Sequence, residues 1–285
     1  MKLTTINISA AVFLITIATG CASIVVDPML VSVRQSLEQQ EDLNLIKDGT
    51  PALLLMLDGL LQKEPNDLKI RMAATQAYTA YAALLNEFQE PERAATISAI
   101  AKRHGLHLLA KHTTLGLDTQ KSLADFTPTL GAVGQSETAP LFWGGQAWAT
   151  WVRLQNGAPA AMADLPKVEQ IMLRVLELDE SYYYGSAHIF LGGYYGSLPV
   201  SLGGKPEESR EHFERALAIN DRNFLYTQVL YAETYARMTL NRELFQSLLA
   251  EALNRQTTDK RLISANLLAK KRAQLLLARI DEYFL

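Results

Sequence analysis

YYYGSAHIFLGGYYGSLPVSLGGKPEESREHFERALAIND, residues 182–221, reads as two antiparallel helices joined by a turn. In the first, His188, Leu191, Gly192 and Tyr195 recur at i, i+3, i+4 and i+7 and so share one face. Gly203 and Gly204 supply the turn. Pro206 suits the first turn of the second helix, where its missing N–H costs nothing, and Glu207 and Glu208 sit at the positive end of the helix dipole. Phe213, Ala216, Leu217 and Ile219 give that helix its apolar stripe. The order L-G-x-x-Y followed by F-x-x-A-L is the pattern of a tetratricopeptide hairpin with a lengthened turn. A hairpin of this kind cannot bury its apolar face alone, so it predicts similar units stacked beside it. Tyr195 and Phe213 are expected to meet across it.

The neighbours are visible on both sides. VEQIMLRVLELDE, introduced by Asp164, places Met172 where HFERALAIND has Phe213, and Tyr231-Ala232-x-x-Tyr235 repeats Leu191-Gly192-x-x-Tyr195 forty positions on. Upstream, a first helix is expected to end near Asp48-Gly49 and a second to start at Thr50, with Pro51 at its first position. Leu68 to Leu85 and Pro91 to about His112 form the next pair. From Thr113 to Pro140 the chain has the composition of a long connection, with one short helix around Gln120 to Phe126. Leu141 to Gln155 is helical and aromatic, and Asp259 to Phe284 closes the stack. The fold class is therefore all-α, an α-solenoid of degenerate tetratricopeptide-like hairpins. About ten or eleven helices are expected, in one domain over residues 29–285, with no sheet.

A chain of 285 residues, 48% hydrophobic and 20% charged, can bury a large core. Its net charge of −3 supplies no basic footprint, which argues against nucleic acid as a partner. The lone cysteine, Cys21, excludes an intramolecular disulfide. It follows Lys2, an apolar run through Ala10 to Ile15, and Ala18-Thr19-Gly20, which reads as a signal peptide (1–20) ending in a lipobox. Cys21 is then the lipidation site, residues 21–28 are a tether, and the membrane is reached through the lipid only. An uncleaved apolar helix is the competing reading. Ala22 and Ser23, rather than aspartate, favour the outer membrane by analogy with enteric bacteria.

PALLLMLDGLL from Pro51, AATQAYTAYA from Ala73, LFWGGQAWATW from Leu141 and the long run from Ala163 through Asn220 resemble the T-components of tripartite ATP-independent periplasmic (TRAP) transporters. These are lipoproteins with cryptic tetratricopeptide repeats. The resemblance spans the mature chain except Thr113 to Pro140. It implies a periplasmic accessory protein that binds the transporter's solute-binding subunit and forms a homo-oligomer, a trimer being one option. The alternative is a tetratricopeptide-repeat lipoprotein adaptor of the cell envelope unrelated to transport.

No catalytic motif is present: H-E-x-x-H, G-x-S-x-G and the P-loop pattern are all missing, and an enzyme is not expected. No cofactor or metal is expected either. His104 and His107 share a face with Lys111, a poor metal set that reads as a solvated surface. His188 occupies a packing position, and the SLGGKP loop could offer amides to an anion were Glu207 and Glu208 not already there. Glu211 with Arg215 and Glu233 with Arg237 read as local i, i+4 pairs. Gly144, Gly145, Gly185, Gly192, Gly193 and Gly196 fall inside expected helices, where each costs about 0.8–1.0 kcal/mol relative to alanine. Close helix packing explains them most simply. The other explanation is room for an apolar ligand, in a cavity lined by Trp143, Trp151, Tyr184, Ile189, Gly193 and Tyr195 and covered by the 113–140 segment.

Overall fold

The computed structural model describes residues 21–111 and 116–284. The signal peptide assigned to 1–20 lies outside them. Helix α1 spans Cys21–Gln39, so the backbone of 21–28, read as tether, is helical. It is followed by α2 (Leu43–Lys63), α3 (Leu68–Glu87), α4 (Pro91–Lys111), α5 (Leu123–Leu130), α6 (Thr138–Leu154), α7 (Pro159–Met162) and α8 (Leu165–Asp179). Then come α9 (Tyr182–Gly196), α10 (Pro206–Ile219), α11 (Tyr226–Tyr231), α12 (Arg242–Asn254), α13 (Ile263–Ala278) and α14 (Ile280–Tyr283). No strand occurs among the described residues. The number of helices slightly exceeds ten or eleven because short ones, α5, α7 and α14, add to the long ones.

Successive helices pack as antiparallel hairpins, α3 on α4, α4 on α6 and α9 on α10 most extensively. The stack also curls until its ends meet. Helix α13 touches α1, α2 and α3, and Arg272 of α13 lies 3.7 Å from the buried Glu87 of α3 while pairing with Glu233. Three apolar cores result. One is built on α2 to α4 around Leu57, Leu85 and Ala101. The central core gathers α4, α6 and α8 around Leu109, Phe142 and Ile171, and the C-terminal core gathers α10 to α13 around Phe213, Tyr231 and Phe245.

Several boundaries differ from the sequence reading, each for a local reason. Asp42, not Thr50, caps α2: its carboxylate accepts from the N–H groups of Asn44 and Leu45. Thr50 and Pro51 are interior, with the Thr50 hydroxyl donating to the Ile46 carbonyl at 2.6 Å, because the buried face of Leu54, Leu57 and Leu61 needs one continuous helix. The 113–140 region holds α5, a 3-10 turn at Gln135–Glu137 and the start of α6, so it is more structured than a loop. Phe126 and Leu130 anchor α5 in the central core.

The hairpin of residues 182–221 forms, with α10 starting at Pro206, but its first turn is not a right-handed helix. Tyr183, Tyr184 and Gly185 have φ of 46°, 63° and 73°, in the left-handed region that disfavours any side chain, so Gly185 is a turn glycine. Nor do Tyr195 and Phe213 pair. Phe213 stacks on Tyr231 with ring centroids 4.6 Å apart, and Tyr195 faces His212 at 5.7 Å, because Tyr195 belongs to the central core and Phe213 to the C-terminal one. Close approach explains Gly144, Gly145 and Gly192. A Cβ at Gly144 would fall 2.6 Å from Cγ of Leu109, at Gly145 2.6 Å from Cγ2 of Ile171, and at Gly192 2.9 Å from Cδ2 of Phe213.

Candidate functional site

The residues expected to line one cavity divide among three places. Trp143 projects from α6 into an aromatic cluster, its ring centroid 4.8 Å from that of Tyr183 and 5.2 Å from Phe142. Tyr184 continues the cluster to Phe224 at 5.4 Å, so the left-handed turn joins the central core to the C-terminal one. These edge and tilted contacts add to the burial of the rings and hold the strained backbone in place. Tyr183 and Tyr184 also border an open hollow of about 460 Å³, together with Arg34 and Glu38 of α1, Ile219 and Arg261. The hollow is charged: Arg34 stands 3.6 Å from Glu38, and Arg261 forks onto Asp259.

Trp151 lies elsewhere, under a cation. Lys102 Nζ of α4 sits 3.4 Å from its ring centroid and 5.4 Å from that of Trp148, and the same ammonium donates to Asp164 at 2.7 Å. Trp148 Nε1 donates to the same carboxylate oxygen, also at 2.7 Å. The face of Trp151 is therefore occupied by a tethered cation rather than open to a ligand. The pairing was not legible, since the two are 62 positions apart and Asp164 stood out only as the start of α8, which its side chain does not cap because it accepts from Lys102 and Trp148 instead.

Tyr195, Gly193 and Ile189 share α9 but point different ways. Ile189 is buried in the C-terminal core. A Cβ on Gly193 would lie 3.0 Å from Cδ2 of Leu230, so this glycine backs onto α11. Tyr195 donates its hydroxyl to Glu169 at 2.7 Å; burial and then that carboxylate push its pKa up, keeping the phenol neutral. Lys205 caps its ring at 4.5 Å. Beside Tyr195 lies a second hollow of about 220 Å³, mostly apolar, lined by Leu198, Pro199, Val200, Tyr235 and Met238 among others. Tyr235 reaches it from a π-helical turn at Ala232–Ala236, a distortion common at functional sites that no residue pattern announced. The hollow is below the roughly 300–1,000 Å³ of sites for drug-sized ligands, and suits a side chain or a short apolar group.

His104 does not lie on a solvated face. His104 is buried and stacks on Tyr78 at 5.2 Å, with Arg71 Nη1 2.8 Å from its Nδ1 and Asp58 3.5 Å from its Nε2. Burial, then Arg71, lowers its pKa to about 4. The solvated reading failed because α3 covers that face of α4. His188 packs in the hairpin as expected, with an added partner, His212, Nδ1 to Nδ1 at 2.8 Å. The loop amides of Gly203, Gly204 and Lys205 donate to the carbonyls of Val200, Pro199 and Tyr195, so they turn inward rather than toward an anion. Arg215 pairs with Glu180 and Glu233 with Arg272, replacing the two local pairs expected from i, i+4 spacing with links between hairpins. Among the described residues no group of three or more His, Cys, Asp or Glu is placed to hold a metal.

Against known protein families, residues 39–284 match the family described as TRAP transporter T-component. No curated protein shows significant similarity to the chain.

Proposed function

The chain belongs to the TRAP transporter T-component family, and from that premise we propose that it works at the envelope by binding the transporter's periplasmic solute-binding subunit. The single observation that carries this is the extent of the match, residues 39–284, which takes in α2 to α14. The accessory role follows from the family, and the partner and the anchor are the proposal. Cys21 belongs to α1 and, lipidated, would attach the domain through that helix. No helix among the described residues is long and apolar enough to cross a membrane. Placement in the outer membrane, and assembly into a homo-oligomer, belong to the same reading.

An apolar ligand fits this reading at one of the two hollows rather than in a cavity shared by all six residues. The hollow beside Tyr195 is the better candidate, because its walls are aliphatic and aromatic while the one beside Tyr184 is charged. Isolation of the tagged chain from its own cells tests the partner. The solute-binding subunit encoded with the same transporter should co-isolate, and its consistent absence would leave the envelope adaptor as the reading. Cys21→Ser tests the anchor: the variant should be released as soluble protein or accumulate unprocessed. If it fractionates as processed, membrane-bound protein like the wild type, the lipid anchor is wrong.

A further inference from the structure

Four separate stretches of the chain meet around the hollow beside Tyr183: α1, the turn that opens α9, the end of α10 and the 3-10 turn Lys260–Leu262 ahead of α13. Its volume of about 460 Å³ lies within the roughly 300–1,000 Å³ of small-molecule sites. Helix α1 forms one wall, held there by its contacts with the 3-10 turn and α13. Opposite it stand Tyr183 and Tyr184, whose backbone is left-handed. Side-chain-bearing residues keep that costly conformation only where their surroundings over-determine it, and they cluster at ligand clamps. Trp143 fixes the Tyr183 ring from within, at 4.8 Å between centroids, while Tyr183 stays 38% exposed at the hollow.

The charged groups on the wall are not used up within the chain. Glu38, its side chain 24% exposed, accepts no hydrogen bond among the described residues, and Arg34, one helical turn before it, stands at 3.6 Å, too far to donate. Arg34 donates to no other described residue either, so its N–H groups remain open. A surface pair of this length adds little to stability. Burial, ahead of the attraction of Arg34 and Arg261, raises the pKa of Glu38, as befits a carboxylate short of donors. Arg261, the hollow's other cation, is engaged by Asp259 at 2.7 Å. Arg34 and Glu38 are therefore the open pair.

We propose that this hollow binds a free α-amino acid, with the ligand's carboxylate on Arg34, its ammonium on Glu38 and its side chain against Tyr183. An open cation and an open anion 3.6 Å apart call for opposite charges a similarly short distance apart, and an α-amino acid carries both on one carbon. A simple carboxylate would meet Glu38 with a like charge, and a simple amine would do the same to Arg34. Gln35 and Gln39 of α1 add amides that both donate and accept. The site is separate from the apolar hollow beside Tyr195, and the inference does not depend on the transport reading.

Calorimetric titration of the full chain in detergent with each common L-amino acid in turn tests it. At least one should bind saturably, and its decarboxylated amine and the acid lacking its amino group should each bind about tenfold or more weakly. Arg34→Gln should weaken the amino acid by a similar factor and leave the amine no weaker. Glu38→Gln should weaken the amino acid and leave the acid no weaker. A fold defect would weaken all three ligands alike, so this crossed pattern reports recognition. Binding of none of them by a chain shown to be folded, an amine or acid as tight as the amino acid, or a bound amino acid indifferent to both substitutions would each overturn the proposal.

Discussion

His188 and His212 face each other across the α9–α10 hairpin with their Nδ1 atoms 2.8 Å apart. One must donate and the other accept, so the accepting imidazole is neutral and the two cannot both be protonated while the bond holds. Burial lowers the pKa of each, and the pair lowers that of His212 further, to about 4; Glu180 pulls His188 the other way, while Glu208 and Lys205 oppose each other at His212. The unfolded chain binds the His212 proton near 6.5 and the folded chain near 4, so its contribution is complete above pH 6.5 and is lost as pH falls toward 4, and His188, lowered as well, acts with the same sign. His104, also lowered to about 4, acts with the same sign. Denaturation midpoints measured from pH 7 to 4 should fall, and His212→Gln should flatten the slope. A midpoint unchanged over that window contradicts the pairing.

Phe213 is fully buried, stacked on Tyr231 and pressed against Gly192. Phe213→Ala should destabilise by about 3–5 kcal/mol, read as a lowered Tm. An unchanged Tm would mean that the C-terminal core is packed otherwise.

Arg272 ties the end of the stack to its beginning through Glu233 and Glu87. Arg272→Ala leaves the buried Glu87 carboxylate without its cation and should cost about 3–5 kcal/mol. Hydrogen exchange should rise in α3 and α13 together if the link closes the stack. A rise confined to α13 would show that closure rests on apolar contacts alone.

Gly193→Leu separates packing from ligand space. Its Cβ would press on Leu230, so the variant should lose about 1–3 kcal/mol in chemical denaturation. Uptake of an apolar fluorescent probe at the hollow beside Tyr195 should persist, since Gly193 is not among the residues lining it. Full stability with abolished probe uptake would return Gly193 to the ligand site.

The hairpins were legible because their signals are local: Pro206 with two glutamates marks a helix start whatever surrounds it, and Phe213 with Leu217 marks a buried face. Pro51 carried the same signal and misled, because Asp42 had already opened the helix and the buried leucines ran on past the proline. The left-handed turn at Tyr183 and Tyr184 had no signal at all. Three tyrosines in a row favour neither hand, and it is Trp143 and Phe224, each 40 positions from the tyrosine it meets, that hold the turn. The candidate site suffered for the same reason. Trp143, Trp151, Ile189 and Tyr195 were grouped by nearness in sequence, whereas the rotation of each helix sends Ile189 to the C-terminal core and sets Trp143, Trp151 and Tyr195 among different neighbours of the central one.

Titration calorimetry of the purified mature chain with the solute-binding subunit of its own transporter tests the central claim most directly. Saturable binding is the predicted result, with the subunit from an unrelated transporter giving none. No binding to the cognate subunit, by a chain shown to be folded, would contradict the account.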